Sequence, residues 1–261
     1  MSQVQLYESS YGSASDPAQV AVRLATYGED FGQTGWMTGE EHDQIIRLLS
    51  IGEKDHVLEV ACGAGGAARR LARLTGALVT GVDVNPHAIF AAQKSPHDRV
   101  QFVRADADER LVFADGRFDA IYCNDAVNHL RDRRKTLQDW ARLLTKAGRL
   151  FFTDPVVITG PVSNAQLAGR SSIGHFLFLP AGLNEQLLAA TGFVVERVMD
   201  MTEALVGVSH RWRAAREAQR PALIRLESAE QFEATQRFLS CVNELGSQRR
   251  LSRMGYLAIK Q

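Results

Sequence analysis

The chain has 261 residues, 45% of them hydrophobic, which is enough to bury the core of one large α/β domain and excludes disorder as the default reading. Lys and Arg total 30, as do Asp and Glu, so no net field draws the protein to nucleic acid or to an anionic membrane, and neither is expected as a partner. Cys62, Cys123 and Cys241 form neither a disulfide framework nor a zinc spacing; with no metal site, no basic leader and no apolar run near the roughly 18 residues that span a bilayer, the expectation is a cytoplasmic protein.

Residues 1–15 are polar and small, which predicts a mobile arm. Asp16-Pro17 supplies an N-cap and a first-turn proline for a helix carrying Val20, Leu24 and Tyr27, and a second helix is predicted after Gly39 with Ile45, Ile46, Leu48 and Leu49. From residue 56 the pattern alternates. HVLEVAC, LVTGVDV, VQFVRAD, FDAIYCN and RLFFTDP read as apolar strands, and GGAARRLARLT, PHAIFAAQK and RRKTLQDWARLL between them as helices. Strands this apolar predict a parallel sheet covered on both faces, a doubly wound α/β architecture. The charge cluster RDRRK at 131–135 is read as a solvated helix face. Residues 156–180 break the rhythm and predict a lid or wall, followed by a helix near 181–191 and the strand FVVERVMDM. A helical cap is predicted over about 202–250, divided into two helices by Pro221, before the terminal strand MGYLAIK.

The densest signal is VLEVACGAGGAARRLA, residues 57–72, where a strand enters a glycine-rich turn and then a helix. Gly63 and Gly65 let the backbone approach a nucleotide, and Asp83, twenty residues beyond Gly63, is placed to accept hydrogen bonds from ribose hydroxyls. Glu59, Asp83 and Asp106 set carboxylates along the carboxyl edge of successive strands, where ligands bind in open α/β sheets. Gly63, Gly65 and Ala68 also satisfy a loose dinucleotide fingerprint, so a nicotinamide-dependent dehydrogenase is an alternative, and a non-catalytic cofactor-binding protein is another. Glu59 would repel a pyrophosphate, whereas it suits a ligand carrying an ammonium and a sulfonium.

These residues resemble the class I S-adenosyl-L-methionine-dependent methyltransferases, whose first motif is an acid, three residues, glycine, one residue, glycine; the match covers roughly 56–156. The resemblance implies an α/β, Rossmann-like, doubly wound seven-stranded sheet, mostly parallel with an antiparallel last strand, plus an N-terminal helical lid and a helical cap insertion. Its parts are an arm and lid over 1–50, a cofactor core over 51–156, and the rest of the sheet with cap insertions over 157–261, integrated as one domain. It also implies S-adenosyl-L-methionine as cofactor, S-adenosyl-L-homocysteine as product and a small-molecule methyl acceptor. Glu59, Ala61, Gly63, Gly65 and Asn124 would surround the methionine part, Asp83 and Val84 the ribose, and Asp106 with Ala107 the adenine. Ala61 stands where the family commonly has a further glycine.

The run YGEDFGQTGWMTGEE at 27–41, with DAVNHL and MGYLAIK, is similar to the phosphoethanolamine and sarcosine/dimethylglycine N-methyltransferases. By that similarity Tyr27, Phe31, Gly32, Met37 and Thr38 would close over the cofactor, and His129 would be the general base, paired with an upstream tyrosine for which Tyr7 and Tyr11 are the candidates. The polar groups of a phosphobase site find no match in SSIGHFLFLPAGL. An apolar wall of Phe176, Phe178 and Trp36 is expected instead, with His175 and His210 as further pocket residues, which suits a specialised metabolite with an apolar body methylated on N, O or C.

Overall fold

The computed structural model describes residues 14–261, so most of the expected arm, with Tyr7 and Tyr11, lies outside the described residues. The strands are β1 (His56–Val60), β2 (Leu78–Asp83), β3 (Val100–Arg104), β4 (Phe118–Cys123), β5 (Leu144–Ile158), β6 (Phe193–Asp200) and β7 (Leu251–Lys260). The helices are α1 (Pro17–Tyr27), α2 (Gly39–Leu49), α3 (Gly66–Thr75), α4 (Pro86–Gln93), α5 (Arg133–Leu143), α6 (Asn164–Arg170), α7 (Leu183–Ala190), α8 (Thr202–Ala218), α9 (Arg220–Glu227) and α10 (Ala229–Ser247). One sheet of order β3-β2-β1-β4-β5-β7-β6 results. Pairing is parallel from β3 to β5, and β7 runs antiparallel between β5 and β6, as expected.

Successive side chains leave a strand on opposite faces, and here both faces are apolar. Val57, Tyr122, Phe151 and Leu257 pack with Ile45 and Leu49 of α2 and Leu71 of α3. Their chain neighbours Leu58, Ile121, Phe152 and Tyr256 pack with Trp140 and Leu143 of α5 and Leu188 of α7. Because the strand order reverses between β1 and β4, the loops after these two strands diverge and leave a crevice at the carboxyl edge of the sheet.

The N-terminal helix belongs to the cap. Ala18 and Val22 of α1 pack with Ala215, Leu223 and Phe232, while Tyr27 and Trp36 join Leu205, Val208, Phe238 and Leu239. Asp16 caps α1, accepting from the Ala18 amide at 2.8 Å. The cap departs from the two-helix expectation. Its first break falls at Gln219, with Pro221 inside the first turn of α9, and Ser228, at φ 78° and ψ 157°, makes a second break before α10.

The reading of RDRRK as a solvated face is corrected at one position. Arg133 is buried, donating to Asp154 at 3.1 Å, Asn184 at 2.6 Å and the Val127 carbonyl at 2.9 Å. Asp154 is itself buried in β5, and a carboxylate there requires a countercharge. Arg131, Asp132, Arg134 and Lys135 stay exposed.

A second buried ion cluster ties the cap to the sheet. Arg253 of β7, fully buried, donates to Asp125 at 2.7 and 3.2 Å and to Glu41 at 2.8 Å. Asp125 also accepts from the Trp36 amide at 3.0 Å and the Thr153 hydroxyl at 2.8 Å. Glu41 and Thr38 form the capping box of α2. Burial opposes the charge on Arg253, but Asp125 and Glu41 outweigh it and hold the guanidinium protonated above its usual range. Arg253→Met is expected to cost about 3–5 kcal/mol in urea unfolding, because two buried carboxylates lose their partner; a loss below about 1 kcal/mol would show that water already reaches the cluster.

Candidate active site

Three adjoining cavities occupy the carboxyl edge. The first lies over the ends of β1, β2 and β4 and is lined by Ala61, Asp83, Val84, Asp106, Ala107, Asn124 and His129, among others. The second is lined by Phe31, Met37, Glu59, Gly63, Gly66 and Asn124. The third, between sheet edge and cap, is lined by Trp36, Asn128, His129, Arg170, Phe176, Trp212 and Phe238. Thr34, Gly35 and Asp125 border all three cavities, which places them at the junction.

The turn after β1 is built for close approach. Ala61 adopts φ 58° and Gly63 φ 54°, both left-handed, so Ala61 carries the steric cost that a glycine would avoid. Gly65 and Gly66 serve packing. A Cβ on Gly65 would stand 2.2 Å from the Phe102 ring, and one on Gly66 would stand 1.5 Å from the Phe31 carbonyl oxygen. The missing Gly66 side chain is therefore what lets the N-terminal segment cross the start of α3. Arg70 of α3 holds the same segment through Glu29 at 3.2 Å.

Glu59 is buried, and burial pushes its carboxyl up to about 8. The Tyr122 hydroxyl faces this carboxyl, and neither amide atom of Asn124 has a hydrogen-bond partner among the described residues. Asp83 accepts from the amides of Gly63 at 2.9 Å and Asn85 at 2.8 Å, so it holds the two loops flanking the first cavity in register, and burial raises its pKa. Asp106 is exposed and accepts from the Asp108 amide at 3.0 Å.

His129 ends a 3₁₀ turn, Val127–His129, and borders both the first and the third cavity. Its Nδ1 lies 2.8 Å from the His175 carbonyl oxygen, which can only accept, so Nδ1 carries the proton and Nε2 is the acceptor nitrogen. Burial lowers its pKa to about 4, and the ring is neutral in the free protein.

Several residues singled out from the sequence do not line these cavities. The buried Tyr27 donates its hydroxyl to the Gly35 carbonyl at 2.7 Å, Thr38 caps α2, and Gly65 packs on Phe102. Phe178 stacks on Phe176 two residues beyond it. His175 and His210 have exposed side chains, and His175 acts through its carbonyl. Asp125, Asn128, Arg170, Thr34 and Gly66 are among the lining residues that the sequence reading missed. Of these, only Gly66 had a local signal, its place in the glycine-rich turn.

The fold and the glycine turn define a protein that binds a nucleotide-like cofactor at a Rossmann-type sheet edge. Residues 58–152 match the methyltransferase domain family. The chain is 34% identical over 163 residues to methyltransferase GfsG of Streptomyces halstedii, spanning 60% of this chain and about half, 54%, of that protein. It is 31% identical over 207 residues to O-methyltransferase cnsE of Penicillium expansum, spanning 76% of this chain and 74% of that one. Among solved structures, a Haemonchus contortus phosphoethanolamine N-methyltransferase 2, in complex with phosphomonomethylethanolamine and S-adenosylhomocysteine, superposes with a TM-score of 0.81 at 18% identity, over 100% of this chain and 60% of that one. The chain belongs to the class I S-adenosylmethionine-dependent methyltransferases. The dehydrogenase alternative falls with that assignment.

Gly66→Ala is expected to displace the Phe31 backbone and expose residues 28–37. Limited proteolysis should cut that segment several-fold faster than in the wild type, by the usual link between local opening and cleavage. Unchanged cleavage in a folded variant would mean that the crossing is not held by this contact.

Proposed function

We propose that this protein methylates a hydroxyl group on a small molecule with an apolar body, with S-adenosylmethionine as donor and His129 as general base. The observation that carries this reading is the position of His129, whose imidazole belongs to a residue bordering both the cavity over the nucleotide-binding edge and the cavity under the cap. The similarity to a named O-methyltransferase supports the choice of oxygen.

The residues at the sheet edge fit the cofactor. Glu59 brings a buried carboxyl to the second cavity and Asn124 amide atoms without a partner among the described residues, matching the ammonium and carboxylate of an amino acid. Asp83, with Val84, would take the ribose hydroxyls, and Asp106 with Ala107 would border the adenine. Phe31 and Met37 would cover the methionine part. When bound, the cofactor supplies a methyl carbon made electrophilic by an adjoining sulfonium.

The chain's own part is to align the acceptor, exclude water and take one proton. Trp36, Phe176, Trp212 and Phe238 hold the apolar body. His129 Nε2 would accept the acceptor's hydroxyl proton, and the imidazolium formed would share its Nδ1 proton with the His175 carbonyl. Burial makes this a weak base at rest, but one that is never lost to protonation at neutral pH.

His129→Ala is expected to lower kcat roughly 10²-fold with cofactor affinity unchanged. Because the ring of the free protein protonates only at about 4, kcat/KM for the acceptor at saturating cofactor should be flat from about pH 6 to 8 and fall only as pH drops toward that value. An inflection near 6.5, or full turnover by the variant on an acceptor that the wild type methylates, would remove the assignment; mass spectrometry of the product decides between oxygen and nitrogen.

Glu59 generates a separate test. Its folded-state pKa of about 8 means that it is protonated in the free protein at pH 7, whereas an ammonium beside it favours the carboxylate. Cofactor binding should therefore release about one proton at pH 7, and affinity should rise with pH up to about 8. Calorimetry in buffers of different ionisation enthalpy measures the release, and Glu59→Gln should abolish it; equal release by the variant would place the ammonium elsewhere.

A further inference from the structure

The third cavity contains a polar side chain that the proposed reaction does not use. Asn128 is 1% exposed, and neither its Oδ1 nor its Nδ2 has a hydrogen-bond partner among the described residues. It borders the cavity beside His129, with Trp36, Phe176 and Phe238 among the other walls. A buried amide can donate two hydrogen bonds and accept two, and one left without partners is destabilising. Local fraying does not relieve it, because the turn is pinned on both sides of the side chain. The Asn128 carbonyl accepts from the Leu177 amide at 2.7 Å, and the His129 ring donates to the His175 carbonyl at 2.8 Å. The amide is held in a fixed place, at the cavity, without a protein partner.

Resting on the reading of a hydroxyl acceptor, we propose that Asn128 is a specificity-determining residue that pairs with a second oxygen of the acceptor, so that the methylated hydroxyl has a hydroxyl or carbonyl on a neighbouring carbon. Asn128 and His129 are consecutive, with Cα atoms about 3.8 Å apart, so the groups they engage lie at the same end of the acceptor. The amide suits either oxygen, since Nδ2 donates to a carbonyl and Oδ1 accepts from a hydroxyl. The aromatic walls take the rest of the molecule. The substrate class is thus a catechol, hydroxyketone or hydroxyquinone type of compound, in preference to an isolated phenol or alcohol.

The test measures binding to the S-adenosylhomocysteine-saturated protein by calorimetry, with no methyl transferred. The probes are two matched pairs, catechol with phenol and 2,3-dihydroxynaphthalene with 2-naphthol. In the wild type the dihydroxy member of a pair should bind about tenfold tighter, and Asn128→Leu should cut that preference to within about twofold by weakening the dihydroxy member alone. Asn128→Asp keeps the accepting oxygens and should retain part of the preference. Asn128→Leu should also melt at or above the wild-type temperature, since it removes an unpaired amide from an apolar wall. The proposal is overturned by any of three results: no preference in the wild type, whether both members bind or neither does; a preference that survives Asn128→Leu; or a fall in Tm beyond about 5 °C, which marks a structural amide. Product analysis tests the hydroxyl reading independently, so the two can fail separately.

Discussion

Two carboxylates and one buried guanidinium share a junction, and the geometry of the whole site follows from the need to satisfy them together. Asp125 follows β4, Arg253 lies in β7 and Glu41 opens α2, so the cluster joins sheet, antiparallel strand and N-terminal layer at one point. Such a cluster is weak evidence for net stability, since desolvation offsets most of the attraction. Its effect is geometric. Asp125 can meet Arg253, the Thr153 hydroxyl and the Trp36 amide only in one arrangement, and that arrangement holds Asp125 at φ 52°, an unusual conformation for a residue with a side chain. The same side chain borders all three cavities, so the groups that bind cofactor and acceptor are set from a common origin.

Around that origin the site is left deliberately incomplete in polar terms. Glu59 is held neutral by burial, Asn124 and Asn128 lack partners, and His129 is neutral with one nitrogen committed to a carbonyl. In a region of low effective dielectric each unpaired group is costly, and each gains most when a ligand completes it. Binding energy is then available for orientation, which is the main demand of an in-line displacement at an already activated carbon.

The acceptor side has a different origin from the cofactor side. The cofactor edge is made by loops that follow consecutive strands, and its spacing is local. The chamber under the cap, proposed for the acceptor, is made by α1 packed against α8, α9 and α10, with Arg170 of α6 lying against the rings of Trp36, Phe176 and Phe238. Segments from the two ends of the chain thus form one wall, and the Ser228 break lets α9 and α10 turn around it.

What the amino-acid order alone determined was periodic or contiguous. Apolar runs named the strands, the glycine turn marked the exit of β1, and Glu59 and Asp83 were placed by their offsets from it, because a strand, a turn and a helix start are specified by residues within a few positions of one another. His129 was legible for the same reason, in the run that leaves β4. What only the tertiary structure decided rests on contacts across great separations: Arg253 meets Asp125 across 128 residues, and Trp36 meets Asp125 across 89. Tyr27, Thr38 and Gly65 had the right local company for the site yet were drawn into packing and capping, and Arg133 left a run of surface charges to pair with Asp154. Burial did the rest, holding the His129 ring neutral well below its ordinary pKa and leaving the Asn128 amide without a partner among the described residues, because solvent exclusion belongs to the assembled chain and has no signature in any short stretch of it.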